Sequence, residues 1–95
     1  MSEIPRIVSA EPVIQGVLKI QWDDGYAGVV DLRPVIERGR VFEYLQDPSR
    51  FLRVQVGEYG HGIVWVTEQG ERIDFGTDAL RRRAETQADL NRRAG

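Results

Sequence analysis

The 95-residue chain carries 13 Lys and Arg against 15 Asp and Glu, for a formal net charge of −2, and is 41% hydrophobic and 29% charged. These are the proportions of one ordinary globular domain, not of a disordered or fibrous chain, and the negative total gives no general attraction for a phosphate backbone. With no Cys, disulfides, thiol nucleophiles and thiolate metal sites are excluded, and no apolar run approaches the ~20 residues that span a bilayer. Glu3 and Pro5 stand where a signal peptide would carry positive charge and then an apolar stretch, so a cytoplasmic location is expected.

The first predicted strand covers Arg6 to Val13, with Pro12 marking an edge or an end because it has no N–H to donate. Val17 to Trp22 alternates strictly, placing Leu18, Ile20 and Trp22 on one face and Lys19 and Gln21 on the other. Asp23, Asp24 and Gly25 make a polar turn, and Tyr26 to Leu32 completes a hairpin. Between Arg33 and Arg50 alternation stops, and a packed connection with short helical turns near Pro34 to Arg38 and Asp47 to Arg50 is expected. Asp47 before Pro48 suits a helix start, since the carboxylate caps free N–H groups and Pro fits the first helical position.

Alternation of Leu52, Val54 and Val56 with Arg53 and Gln55 predicts another strand over Phe51 to Glu58. Ile63 to Thr67, apolar on both faces, reads as a central strand reached through a Gly-rich loop, Tyr59 to Gly62. After a polar turn at Thr67 to Gly70, Arg72 to Phe75 forms a brief last strand, and Thr77 is placed to cap a helix over about 78–93. On that helix Leu80 is the only large apolar group of its inner face, so the helix is expected to dock by its first turns. The fold class is therefore α+β: a mainly antiparallel sheet of five to six short strands, a short-helix connection and a C-terminal helix.

His61 is the only histidine and sits between glycines, where a general base, a pH sensor or a metal ligand could stand; no orienting carboxylate or second ligand is visible beside it, and the plain reading is a hairpin-loop residue. Asp23 and Asp24 lack the spacing of a calcium loop and read as turn residues. Asp31 interrupts an apolar strand and is expected to satisfy backbone N–H groups at the strand end, with catalysis as the competing reading. Trp22, Tyr44 and Trp65 read as core in preference to ligand-stacking aromatics.

The tail is the basic part of the chain, with five Arg between residues 78 and 95 against Asp78, Glu85 and Asp89. Arg81, Arg82, Arg92 and Arg93 share a stripe of about 120° on the helix. Opposite charges at 81/85 and 89/93 compensate much of its field. Solvated helix face, an acidic protein partner or homodimer contact, and nucleic-acid binding are the three readings of this stripe, with Ala84 and Ala88 as the neighbouring contact positions. No catalytic residues, cofactor or metal are expected.

Taken in order, Leu18, Ile20, Trp22, Asp24-Gly25, Val30-Asp31-Leu32, Phe42, Leu45, Asp47, Phe51, a Trp65-centred strand, Ile73-Asp74 and Leu80 form a pattern over residues 5 to about 82. This pattern resembles a bacterial family of small proteins, domain of unknown function 2442. The resemblance implies an α+β fold with a mainly antiparallel sheet and no established catalytic residue or cofactor. It also implies relatives joined to helix-turn-helix domains or encoded in settings similar to toxin–antitoxin pairs. The reading that follows is a non-catalytic protein-interaction or regulatory accessory module, self-associating or bound to a protein partner. The alternatives are a small-molecule binder or enzyme using His61 and Asp31, and accessory nucleic-acid binding through the Arg-rich helix.

Overall fold

A computed structural model describes residues 5–94, and the side chains of all of these except 41 and 90–94. Its first sheet is a meander in the order β1-β2-β3, built from β1 (Ile7–Ile14), β2 (Val17–Trp22) and β3 (Ala27–Asp31), all antiparallel. The strict alternation of β2 is realised: Leu18, Ile20 and Trp22 are buried and Lys19 and Gln21 exposed. The turn between β2 and β3 brackets three residues between Trp22 and Tyr26, whose N–H and carbonyl meet at 2.9 Å, with Gly25 at φ +90. That is a type I turn closed by a left-handed residue. The same device recurs at Glu68, Gln69 and Gly70, where the Thr67 N–H bonds the Glu71 carbonyl at 2.8 Å and Gly70 has φ +84.

The connection holds α1 (Arg33–Arg38), a 3-10 segment at Arg40–Gln46 and α2 (Pro48–Phe51). Asp47 caps α2 as expected, accepting from the Ser49 N–H at 2.9 Å. The strand predicted over Phe51 to Glu58 is corrected. Phe51 closes α2, turns bonded from Arg53 to Arg50 and from Val54 to Phe51 follow, and only Gln55–Val56 pairs as β4. The local cap and Pro48 set helical backbone before the apolar period can act, and Leu52 ends 64% exposed.

A second sheet, ordered β4-β5-β6, contains β5 (Gly62–Val66) at its centre and β6 (Arg72–Gly76) at its edge. The six strands thus divide between two antiparallel sheets, with β4 lying beside β1. Ile63, Trp65 and Ile73 of the second sheet share one core with Leu18, Ile20, Trp22 and Val30 of the first, together with Leu32, Leu45, Phe51 and Leu80. Phe51 stacks on Trp65 with centroids 5.6 Å apart, and the Trp65 indole N–H donates to the Phe51 carbonyl at 2.9 Å. Tyr44, expected in the core, is half-buried; its hydroxyl donates to Glu68 at 3.0 Å and its ring lies under Arg50.

From β6 the chain passes directly into α3 (Thr77–Ala94). The sequence places Thr77 to cap this helix; its hydroxyl instead turns inward, accepting the Trp22 indole N–H at 2.8 Å and donating to the Pro5 carbonyl at 3.1 Å. The Thr77 N–H bonds the His61 carbonyl at 2.8 Å. One residue thereby ties the helix start to both sheets. The buried Trp nitrogen needs an acceptor, and that need outweighs the local capping preference.

Candidate functional site

His61 lines a shallow hollow of about 370 Å³ on the outer face of β5 and β6, with Glu58, Tyr59, Arg72 and Asp74 around it and Val64 on its floor. Tyr59 stands at its rim in the left-handed region at φ 59, ψ 15, is 73% exposed, and lies 6.0 Å from the His61 ring between centroids. Such a conformation costs a non-glycine residue about 1–2 kcal/mol. No group of three or more His, Asp or Glu is placed to hold a metal ion among the described residues. The hollow offers charge and a ring to lean on, but its lining contains no Ser or Thr nucleophile for His61 to activate.

Asp31, the other weak candidate, lines a different cleft and is not brought together with His61. Its Oδ1 accepts from the Arg33 backbone N–H at 3.0 Å, and both oxygens take the Arg33 fork at 2.9 Å. This is the strand-end role expected of it. The Arg33 guanidinium, before all else, holds the Asp31 carboxyl below its ordinary value. A carboxylate so committed has little basicity left for catalysis.

The arginine stripe separates into unlike members. Arg81 is structural: its fork grips Asp24 at 2.9 and 3.2 Å, its Nε donates to Glu85 at 3.0 Å, and its guanidinium lies 4.0 Å from the Tyr26 ring centroid. Ala84 is buried, directly over Gly28 of β3, where a Cβ on the glycine would stand 3.0 Å from the Ala84 methyl. Arg82 is exposed and Ala88 half-buried; Arg92 and Arg93 lie outside the residues whose side chains are described. Arg82 and Arg83 line a cleft of about 460 Å³ with Asp31, Pro34, Thr86 and Gln87, and neither forms an ion pair among the described residues.

Beside this cleft runs the open edge of β3. The Leu32 N–H bonds the Gly16 carbonyl at 2.8 Å and the Trp22 N–H bonds the Tyr26 carbonyl at 2.9 Å, and in this register the even-numbered residues of β3 bond β2. Ala27, Val29 and Asp31 therefore direct both backbone groups away from the sheet, and no strand among the described residues pairs with them. Ala27 is exposed and Val29 is 43% exposed. The free edge of β6 differs, because Arg72 and Asp74 place charges there that discourage further pairing. The β3 strand is legible in the sequence but its edge status is not, since alternation reports faces and not neighbours.

Residues 7–86 match the family described as Protein of unknown function (DUF2442). No curated protein and no solved structure matches the chain. No helix among the described residues is long and apolar enough to cross a membrane.

Proposed function

The chain belongs to the DUF2442 family, a membership that brings no activity with it, and we propose that it is a non-catalytic protein-interaction module whose contact surface is the edge of β3. The observation that supports this reading is the pair of exposed, unbonded positions Ala27 and Val29 on an edge that carries no blocking charge before Asp31. An edge of this kind offers a row of N–H and C=O groups to an incoming strand, and main-chain pairing needs no catalytic group. The commitment of Asp31 to Arg33, and the separation of Asp31 from His61, speak against the enzyme reading.

The test compares proteins captured from the native cell by the wild-type chain with those captured by Val29→Pro and Val29→Lys. The Val29 N–H points away from β2, so proline there removes an edge donor without breaking the internal ladder. Far-UV circular dichroism establishes that each variant folds. A partner retained by wild type and lost with both variants is the expected result; identical capture by all three chains contradicts the proposal.

A further inference from the structure

The course of α3 shows what the edge is shaped to receive. Thr77 is bonded to Trp22 at the end of β2, and Ala84 lies on Gly28 of β3, so the helix advances across the inner face of the first sheet from β2 towards β3. It does not stop at the edge strand but continues to Ala94. At ~1.5 Å per residue, Gln87 and Ala88 lie about 4.5–6 Å beyond Ala84 along the helix axis, and Gln87 lines a cleft with Asp31 at the end of β3. Gln87 and Ala88 are half-buried and prolong the inward face of Leu80 and Ala84. The helix thus carries Arg82, Arg83 and Gln87 alongside Asp31, at the end of the open edge.

The flanks of the helix differ in charge. The flank towards the start of β3 is neutralised, because Arg81 is bound by Asp24 and Glu85. The flank towards the end of β3 presents Arg82 and Arg83 beside Asp31, whose carboxylate is held by the Arg33 fork and acts only secondarily on Arg83. A second copy docked edge to edge about a two-fold axis at Val29 would set the two α3 helices side by side with their Arg82–Arg83 flanks facing each other, which like charges oppose. A phosphate backbone satisfies the arginines but cannot continue a strand ladder.

We propose, resting on the interaction reading above, that the occupant is an extended acidic segment of another protein. It adds as a fourth strand beside β3, with a carboxylate held by Arg82 and Arg83. Its main chain bonds Ala27, Val29 and Asp31, and its acidic residue selects it over neutral or basic strands.

The probe is an extended, end-blocked peptide alternating Val with Glu, titrated into the full ¹⁵N-labelled chain beside matched Val/Lys and Val/Gln peptides and a short DNA duplex. The Val/Glu peptide is expected to shift the amides of Ala27, Val29 and Asp31, to bind about tenfold more tightly than Val/Lys, and to lose that preference in Arg82→Glu/Arg83→Glu. Equal binding of all three peptides at the edge overturns the acidic assignment and leaves the interaction reading intact. So does failure of every peptide while Val29-dependent capture from the cell persists. Edge amides that shift with protein concentration alone identify a second copy as the occupant and overturn the inference. DNA binding at Arg82 and Arg83 with the edge amides unmoved overturns it as well.

Discussion

Replacing Thr77 with Val probes the joint that orients α3 against the first sheet. Thr77 is 8% exposed and the Trp22 indole 3% exposed, so water cannot replace the hydroxyl when it is removed. The substitution keeps shape and volume but leaves the indole N–H at 2.8 Å and the Pro5 carbonyl at 3.1 Å without partners. An orphaned buried donor costs about 1–3 kcal/mol, and the Pro5 carbonyl, less enclosed, adds less. We therefore expect a loss of about 2–3 kcal/mol, read as a fall of about 2–3 M in the urea midpoint for an m-value near 1 kcal/mol/M. Thr77→Ser keeps both bonds and loses one methyl, a cost of about 1 kcal/mol. Trp22→Phe combined with Thr77→Val removes donor and acceptor together and should cost less than the sum of the single changes. Equal midpoints for Thr77→Val and Thr77→Ser would refute the reasoning.

Gly60, at φ +70, has no room for a side chain, because a Cβ there would meet the Ile7 carbonyl at 2.6 Å; Gly70, at φ +84, has nothing within 4 Å. Gly60→Ala should cost well over the ~1 kcal/mol of backbone strain that Gly70→Ala pays, measured as the difference in thermal midpoints. Arg81→Lys should lower stability by about 1 kcal/mol in urea, since an ammonium cannot reproduce the fork on Asp24 or the stack on Tyr26. Asp24, Asp31, Asp47 and Glu68 all have pKa values held down in the fold, chiefly by Arg81, by Arg33, by the Ser49 hydroxyl and by a backbone hydrogen bond respectively. Their stabilisation is complete above the unfolded carboxylate pKa of about 4 and is lost as pH falls through the lowered folded values. The urea midpoint should accordingly be level from pH 7 to about pH 5 and fall below pH 4, with a shallower fall in Asp24→Asn.

Where one physical demand governs a segment, the sequence discloses it. Leu18, Ile20 and Trp22 alternate because β2 is half-buried, and Asp47-Pro48 starts a helix whatever surrounds it. Asp31 was legible as a backbone acceptor for the same reason: its partner is two residues away. Segments under two demands misled. Leu52, Val54 and Val56 carry a strand period inside a turn set by the preceding cap, and Thr77 gives up its capping role to a Trp 55 residues earlier. Arg81 looked like its neighbours on the stripe because nothing local announces Asp24 and Tyr26 beneath it. Tyr59 in a left-handed conformation carries no compositional mark beyond nearby glycines. The open edge of β3 depends on strand order, which no alternation pattern contains.

Amide hydrogen exchange along β3 in the free monomer tests the central claim most directly. Gly28 and Val30, bonded to β2, should exchange slowly, while Ala27 and Val29 one residue away exchange at rates near those of an unstructured chain. Protection of Ala27 and Val29 equal to that of Val30 would mean that the edge is already filled, and the proposed docking surface would not exist.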